Sequence, residues 1–297
     1  MIAAIFRDIK PAHTVFALPF GLAGAMLAFQ HTGFLTEQGF DPHLFAGKIV
    51  WIVVAAFGAR SAAMAFNRLA DADIDAKNPR TANRPLPSGL VSKKGYAVFI
   101  AAMAGLFVLA SGMLNSAALL LSPVVIVIVC GYSFTKRFTA MTHFVLGLCL
   151  ALAPVGAWVA VTGQLTEMEV PILLGAAVLF WVAGFDMIYA CQDYETDKGL
   201  PVRSFPKSFG IAGALRASAL SHSATAGLLV VLWAVTPSLG MIFIAGLVLS
   251  SALLIIEHNI VRPGDLSRVG TAFLALNGLV SLTLSAAIIL DALSRPG

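Results

Sequence analysis

The feature that most constrains this chain is a series of apolar runs, each long enough to cross a bilayer as a helix. A membrane-spanning helix needs about 20 mostly apolar residues. Nine such runs cover residues 13–31, 48–67, 95–113, 116–134, 143–162, 171–191, 211–235, 238–257 and 270–291. The segments between them are too short for a soluble domain, so we expect one membrane-embedded domain over residues 1–297.

The composition agrees with a membrane protein. Charged residues make up 11% of the chain, whereas soluble domains contain roughly 25%. In lipid only helices and closed barrels satisfy the backbone, and these runs do not alternate with the period of two that barrel strands show. We therefore predict an all-α integral membrane protein, built as a bundle of nine transmembrane helices.

Basic residues are distributed unequally between the two sides of this bundle. If the N-terminus is cytoplasmic, all but three of the 19 Lys and Arg residues fall in inward segments. The exceptions are Lys48 and Arg295 in outward segments and Arg60 inside the second run. Because positive loops mark the cytoplasmic side, we expect an inner (cytoplasmic) membrane protein with its N-terminus inside. The same bias accounts for the net charge of +4, which does not indicate a nucleic-acid partner.

Two acidic clusters lie on the cytoplasmic side of this topology. The first, in NRLADADID, consists of Asn67, Asp71 and Asp75. The second, in DMIYACQDYETD, consists of Asp186, Tyr189, Asp193 and Asp197. Both spacings place their members on one face of a helix that continues past the apolar run. We therefore expect two carboxylate faces around a shared cavity, with the active site on the cytoplasmic side.

Paired carboxylates on one helix face need a cation between them. Like charges four residues apart repel, and Mg²⁺ binds a few carboxylates and completes its shell with water and phosphate oxygens. Two matched clusters therefore predict two Mg²⁺ ions that hold one diphosphate. The competing interpretation is that these acids are solvated or pair with nearby Lys and Arg.

A diphosphate also needs basic side chains, and Arg suits phosphate oxygens best. The loops that border the clusters hold Arg68, Arg80, Arg84, Lys136, Arg137, Lys198, Arg203 and Lys207. Taken singly, each is better explained by the positive-inside rule. The sequence YSFTKRFT is a stronger signal, because Lys136 and Arg137 stand directly at the end of the fourth run.

Arg60 is the most informative single residue, because it lies inside the second apolar run. An arginine inside the bilayer costs at least ~2.5 kcal/mol on insertion scales, so it usually faces a cavity. Arg60 precedes Asn67 by two helical turns on the same face. We expect it to bind the diphosphate or an acidic substrate; the alternative is a structural pair with an internal acid.

Together these motifs resemble the UbiA superfamily of membrane prenyltransferases. The resemblance rests on NRLADADID with KNPRTANRPLPSG, on YSFTKRFT, and on DMIYACQDYETDKG with RSFPKSFG. It extends from IKPAHTVFALPFGL through the ninth run and so covers nearly the whole chain. It implies nine helices around a central cavity that is capped on the cytoplasmic side and open laterally to lipid. It also implies transfer of a polyprenyl group from polyprenyl diphosphate to an aromatic acceptor.

The resemblance assigns roles to the motif residues. Two Mg²⁺ ions and the diphosphate would be held by Asn67, Asp71, Asp75, Asp193 and Asp197. Diphosphate oxygens would be contacted by Lys136, Arg137 and Arg203, and we expect Arg68 and Lys198 to bind the diphosphate as well. The reacting centre and the acceptor would lie near Arg60, Asp186 and Tyr189, of which Asp186 would polarise or deprotonate the acceptor hydroxyl.

The acceptor and the wider class still have alternatives. The motifs resemble most the 4-hydroxybenzoate branch, part of which serves menaquinone synthesis through a dihydroxynaphthoate. IKPAHT departs from the DKPIG-like start of many ubiquinone-pathway members, so either ring fits. The main rival class is a cation-coupled secondary transporter, although transporter sites lie near the membrane midplane. A CDP-alcohol phosphotransferase is less suitable, because its DG…AR element is missing.

Overall fold

The computed structural model describes residues 1–36 and 39–294. Arg295, which the charge distribution assigned to the outer side, lies outside the described residues. Within them, nine helical segments are long and apolar enough to cross a membrane. They are Pro11–His31, Pro42–Ala70, Lys93–Leu114, Ser116–Thr135, Thr142–Thr162, Glu169–Lys198, Phe205–Val235, Met241–Ile260 and Val269–Ser294. The predicted all-α bundle of nine spanning helices is confirmed.

The described residues contain nine long helices and several short elements. The longer helices are α2 (Leu18–His31), α3 (Pro42–Ala70), α5 (Lys93–Leu114), α6 (Ser116–Thr135), α7 (Thr142–Thr162), α8 (Glu169–Ala190), α10 (Phe205–Val235), α11 (Met241–Ile260) and α13 (Asn277–Ser294), with α1 (Ile2–Asp8) before them. The short α-helices are α4 (Ala72–Asp75), α9 (Tyr194–Lys198) and α12 (Val269–Thr271). Two 3₁₀ turns, Pro11–Phe16 and Cys191–Asp193, and a π-helix, Ala272–Leu276, complete the order.

The long helices form a closed ring in chain order. Each packs on the next from α2 through α3, α5, α6, α7, α8, α10, α11 and α13, which returns to α2. Helix α2 also packs across the ring against α7. This ring leaves a cavity on its inner side between α2, α3, α6, α7 and α8.

Glycines allow three of these helices, α2, α7 and α8, to approach closely. A β-carbon at Gly24 of α2 would lie 2.6 Å from the carbonyl oxygen of Pro154 in α7. A β-carbon at Gly147 of α7 would overlap the carbonyl oxygen of Leu179 in α8. Small residues let helix backbones meet in lipid, where there is little hydrophobic force between helices. The α2–α7–α8 wall of the cavity therefore depends on these positions.

The predicted acidic faces differ in detail from regular helices. Helix α3 ends at Ala70, and Asp71 separates it from the single turn of α4. Helix α8 likewise ends at Ala190 and continues through a 3₁₀ turn into α9. The two motifs therefore share the same pattern of a long helix, a break and a short helix, rather than one continuous helix each.

The seventh span begins earlier than its apolar run suggests. The run begins at residue 211, whereas α10 begins at Phe205, capped by the hydroxyl of Ser204. Gly210 has a φ of 73°, which glycine adopts without steric cost because it has no β-carbon. This residue kinks the helix about one turn from its start. This kink leaves the polar first turn of α10 at the end of the cavity where the acidic motifs lie.

Candidate active site

The cavity inside the helix ring has a volume of about 500 Å³ and two chemically different ends. One end is charged and polar, lined by Lys10, His13, Arg60, Asn67, Arg68, Arg80, Arg84, Tyr132, Asp186 and Tyr189. The walls and the opposite end are apolar and include Leu114, Leu165 and Met168. Such a cavity suits a ligand with an anionic head and a long apolar tail.

Asp71 is the most enclosed carboxylate of the first motif, with 2% of its surface exposed. Its Oδ2 accepts hydrogen bonds from Lys136 Nζ at 2.6 Å and Asn67 Nδ2 at 2.9 Å. Burial raises the pKa of Asp71, and the charge of Lys136 opposes that rise. Its Oδ1 is buried without a hydrogen-bond partner among the described residues, so this oxygen is available to a further cation.

Asp75, on α4, is bound by the loop that follows it. Arg84 Nη1 donates to Asp75 Oδ2 at 2.6 Å. The hydroxyl of Thr81 donates to the Asp75 carbonyl oxygen at 2.9 Å. Residues 76–92 are thereby folded back over the end of α3, and they bring Arg80 and Arg84 to the cavity.

Arg80 connects the two acidic motifs. Its Nε and Nη2 donate to the two oxygens of Asp193, at 3.0 and 2.6 Å, and its Nη1 donates to Tyr189 Oη at 3.1 Å. Asn78 of the same loop adds a hydrogen bond to Asp193 Oδ1 at 3.2 Å. The loop after α4 therefore contacts the end of α8, and the two motifs face one another.

Asp197 completes the second motif without an ion pair among the described residues. Its Oδ2 accepts a hydrogen bond from the hydroxyl of Ser204 at 3.1 Å. Ser204 also caps α10, so this carboxylate is attached to the start of that helix. The second motif thus has one carboxylate neutralised by Arg80 and another held only by a neutral donor.

These donors fit Mg²⁺, although they do not form a cage by themselves. In the described part of the chain no three His, Cys, Asp or Glu side chains converge as a ligand set. Magnesium ordinarily uses one or two carboxylates and completes its shell with water and substrate phosphates. The unpartnered buried Oδ1 of Asp71, beside the Asn67 amide, is a hard oxygen donor of the required kind.

Arg60 lines the cavity, but its partners differ from those expected. Its Nη2 donates to the backbone carbonyl oxygens of Ile9 and Lys10, at 3.2 and 2.7 Å. No internal acid pairs with it among the described residues. Arg68 lies two turns later on the same helix and is buried, and its Nε is 3.4 Å from Asp8 Oδ1. Both arginines are therefore held by the end of α1 and the two residues that follow it.

Of the five predicted phosphate contacts only Arg68 lines the cavity; Lys136, Arg137, Lys198 and Arg203 lie outside its lining. Arg137 and Arg203 line a separate surface cleft with Lys207, and their guanidinium groups donate to the carbonyl oxygens of Ala70 and Phe138. Lys198 is exposed and pairs with Glu195 one turn earlier, at 2.8 Å. A lysine at the end of a short helix reaches its own preceding turn. A diphosphate contact of Lys198 would require it to leave Glu195, and it stays a prediction.

Aromatic rings surround the polar end beside Tyr189. Phe273 lies on the π-helix, with its ring centroid 4.2 Å from that of Tyr189. Phe16 and His13 are 5.1 and 5.3 Å from Phe273. Phe273 and Lys10 also line the cavity but were not predicted. Phe273 lies in an apolar run and Lys10 in the basic N-terminal segment, and neither position has a pattern that distinguishes it.

Fold and site together define an α-helical membrane protein with a carboxylate- and cation-lined cavity. The family model described as "UbiA prenyltransferase family" matches residues 16–279. The chain belongs to this family and is a prenyltransferase. The cation-coupled transporter is therefore not favoured.

Curated relatives and solved structures agree with this placement. The chain is 32% identical to a 4-hydroxybenzoate octaprenyltransferase of Nitrosomonas eutropha over 82% of this chain and 84% of the relative. It is 30% identical to one of Aliivibrio fischeri, over 86% and 88%. The apo structure of a UbiA homologue from Aeropyrum pernix K1 is similar with a TM-score of 0.82 and 35% identity, over 94% of this chain and 98% of that one.

A more distant structure shows the same fold with ligands. The UbiA homologue from Archaeoglobus fulgidus bound to GPP and Mg²⁺ has a TM-score of 0.71 and 21% identity. The alignment covers 98% of this chain and all of that chain. At this identity the likeness concerns the fold alone.

Proposed function

We propose that this protein transfers a polyprenyl group from polyprenyl diphosphate to the ring of an aromatic acid, in a Mg²⁺-dependent reaction of quinone biosynthesis. The observation that carries the proposal is the cavity with one charged end and one apolar end. Its charged end would take the diphosphate and the aromatic acid, and its apolar walls the isoprenoid chain. The names of the curated relatives favour 4-hydroxybenzoate as the acceptor, with a dihydroxynaphthoate as the second candidate.

The metal would be held by the two acidic motifs. The observation that supports this is the buried Oδ1 of Asp71, which has no hydrogen-bond partner among the described residues. Two Mg²⁺ ions would share the ligands Asn67, Asp71, Asp75, Asp193 and Asp197. When bound, they would neutralise charge that develops on the leaving diphosphate. A UbiA homologue of the same fold is described as bound to GPP and Mg²⁺, which supports this assignment.

The basic side chains would exchange partners when the donor binds. Lys136, Arg84 and Arg80 each neutralise a motif carboxylate at 2.6 Å. A cation that takes over these carboxylates would free the three side chains for phosphate oxygens. Arg68 and Lys10 border the same end of the cavity, so the leaving group would meet positive charge from several directions.

The reacting ends would meet beside Tyr189 and Asp186. Ionisation of the allylic diphosphate yields a cation that water would destroy, and apolar walls exclude water. Arg60 would bind the carboxylate of the acceptor, because it lines the cavity and only its Nη2 donates to carbonyl oxygens among the described residues. Asp186 would accept the acceptor hydroxyl proton.

We further propose that the chain forms one domain in the inner membrane, with the N-terminus and the site on the cytoplasmic side. The positive-inside distribution supports this orientation. A cysteine at exposed Ser88 should be shielded from an impermeant maleimide in intact cells, and one at exposed Thr166 should be labelled. The reverse pattern would contradict the orientation.

The proposed function is tested by measuring prenyl transfer in membranes that contain the protein, with Mg²⁺ and a polyprenyl diphosphate. The two acceptors, 4-hydroxybenzoate and dihydroxynaphthoate, are assayed in parallel. We expect Asp71→Asn and Asp193→Asn to lose activity by about 100-fold or more, as groups that stabilise a leaving anion do. Exposed Asp73→Asn and Glu195→Gln are matched controls, since each lies between two motif carboxylates. Equal activity in all four variants, or no product with either ring, would contradict the proposal.

A further inference from the structure

His143 and Asp186 form a pair at the wall of the cavity that the motifs do not include. His143 lies in the first turn of α7, and Asp186 lies near the end of α8. His143 Nδ1 is 2.7 Å from Asp186 Oδ2. The histidine side chain is 3% exposed and the aspartate side chain 21% exposed. The imidazole is therefore enclosed, and the carboxylate is open to the cavity on one side.

The backbone of a third helix assigns the tautomer of His143. The backbone N–H of Phe205, the first residue of α10, donates to His143 Nε2 at 3.2 Å. A nitrogen that accepts a hydrogen bond carries no proton, so the proton of a neutral ring is on Nδ1. His143 Nδ1 is therefore the donor to Asp186, and the ring is neutral.

The two carboxylate oxygens of Asp186 consequently have different surroundings. Its Oδ2 accepts from His143, whereas its Oδ1 has no hydrogen-bond partner among the described residues. Asp186 lines the cavity together with Arg60 and Tyr189. A donor on one carboxylate oxygen restricts the side-chain torsion, and the other oxygen is thereby directed to a fixed position.

The first turn of α10 also connects this pair with the acidic motif. Phe205 follows Ser204, whose hydroxyl donates to Asp197 Oδ2 at 3.1 Å. Ser204 thus holds Asp197, a carboxylate of the proposed diphosphate site. The next residue, Phe205, holds His143, which in turn binds Asp186 of the proposed acceptor site. The kink at Gly210 separates this turn from the rest of α10. The relative position of the two carboxylates is set by one short segment.

We propose that His143 is a positioning residue that aims Asp186 Oδ1 at the hydroxyl group of the aromatic acceptor, an inference that rests on the proposed function. The hydroxyl proton passes to Asp186 while a ring carbon bonds to the allylic carbon. The electrons of the broken C–O bond leave with the diphosphate. The ring carbon then passes its proton to the departing diphosphate, and the acceptor oxygen regains the proton held on Asp186.

Two amide variants separate the two hydrogen bonds of His143. In His143→Asn the amide nitrogen takes the place of Nδ1, so the donor to Asp186 is kept and the acceptor for Phe205 N–H is lost. In His143→Gln the longer amide takes the place of Nε2, so the Phe205 contact is kept and the donor to Asp186 is lost. A purely structural role would make the two variants equal, or would favour glutamine.

The experiment measures kcat, the KM for each substrate and thermal stability for wild type, both variants and Asp186→Asn. We expect His143→Asn to keep kcat within about 3-fold and His143→Gln to lose about 100-fold, the scale of a displaced general base. Binding of an unreactive thiolo-diphosphate donor with Mg²⁺ should be the same in all four proteins. This second readout reports on the donor site alone.

The outcomes distinguish the inference from the proposed function. An active wild type with His143→Gln equal to or better than His143→Asn overturns the inference only. Loss of donor binding or of thermal stability in parallel with kcat also overturns it, because the histidine would then be structural. A wild type that binds the donor analogue but prenylates neither ring overturns the proposed function, and the inference with it.

Discussion

Lys10 has a backbone conformation that lysine rarely adopts, with φ of 47° and ψ of 76°. Residues held in this region cost of order 1–3 kcal/mol and persist where their surroundings determine them. The Lys10 carbonyl oxygen accepts from Arg60 Nη2 at 2.7 Å, and Pro11 follows directly. The bend therefore directs a carbonyl to Arg60 and the Lys10 side chain to the cavity.

Replacing Lys10 by Met tests its contribution to the donor site. We expect the donor KM to rise on the order of 10-fold, because a hydrogen bond to a charged group contributes about 1.5–3 kcal/mol. The value of kcat should change less, since the apolar chain still fills the bend. Exposed Lys77→Met is the matched control, and an unchanged donor KM in Lys10→Met would contradict the assignment.

The same substitution has a pH signature. Partial burial, with the charge of Arg68 next in importance, lowers the pKa of Lys10 from its usual 10.5. The folded protein then binds fewer protons than the unfolded chain, so stability rises with pH between the lowered pKa and 10.5. The melting temperature of the wild type should show this gain across that window. Lys10→Met should lack this rise in melting temperature. Identical curves of melting temperature against pH in the two proteins would contradict a partly buried Lys10 ammonium group.

Residue types at the site could be predicted from the sequence, but several partners could not. The spacing of Asn67, Asp71 and Asp75 predicted that they lie together because helical periodicity is local, but of the three only Asn67 lines the cavity. That Arg80 crosses to Asp193 depends on how residues 76–92 fold back, which no periodicity records. The same applies to His143, whose importance depends on three helices meeting at one point.

At the scale of elements, the π-helix Ala272–Leu276 is held by a buried polar network. Asn277 Nδ2 donates to Glu257 Oε1 at 2.6 Å and to the Ala272 carbonyl oxygen at 3.0 Å. Its Oδ1 accepts from Trp181 Nε1 at 2.8 Å. The π-helix carries Phe273 against Tyr189, so the network positions one wall of the site.

Asn277→Leu should destabilise the protein and disturb this wall. It leaves the Trp181 N–H and Glu257 without their partner, and each unsatisfied buried group costs about 1–3 kcal/mol. Thermal unfolding in detergent should show a clear loss for Asn277→Leu. Glu257→Gln is the control, because the amide oxygen still accepts from Asn277, and a loss in it as large as in the leucine variant would contradict this account.

Helix packing yields a second comparison at this scale. Gly147→Ala should lower the melting temperature, because the added methyl group meets the Leu179 carbonyl oxygen and overpacking costs about 1–3 kcal/mol. Gly156→Ala, in the same helix, has open space around its β-carbon. It should gain up to about 1 kcal/mol from helix propensity. Equal shifts in the two variants would refute the close α7–α8 contact.

The helix boundaries show where sequence prediction succeeds. Apolar runs located all nine spans found in the described residues, because hydropathy reports directly on the lipid environment. Most ends agree to within three residues, but the second and seventh spans begin six residues earlier than predicted and the sixth ends seven residues later. The start of α10 was predicted late, since residues 205–210 are polar enough to resemble a loop. Ser204 and Phe205 at this start are held by tertiary contacts with Asp197 and His143, which no sequence pattern records.

For the whole molecule, ion pairs at the polar end link segments that are distant in sequence. Lys136 joins α6 to Asp71 at the end of α3, and Arg80 joins the loop after α4 to Asp193. These pairs neutralise the carboxylates before any donor is bound. Ligand binding must therefore replace existing contacts rather than fill an open charged site.

This exchange predicts mutual dependence of metal and diphosphate. Mg²⁺ alone must compete with Lys136, Arg84 and Arg80, and a diphosphate alone meets carboxylates still in place. An unreactive donor analogue with Mg²⁺ should raise the melting temperature more than the sum of the two separate shifts. At 100 times the dissociation constant the stabilisation would be about 2.7 kcal/mol. Simple additivity in thermal-shift assays would contradict the exchange.

The segment before the first span has a consequence for how the molecule is made. Asp8 contacts Arg68 and Tyr96, and the carbonyls of Ile9 and Lys10 accept from Arg60. A ribosome releases these first ten residues well before their partners in α3 and α5 exist. Residues 8–10 can therefore reach their final contacts only after the third of the nine spans is inserted, so this part of the pocket forms after the first span has entered the membrane.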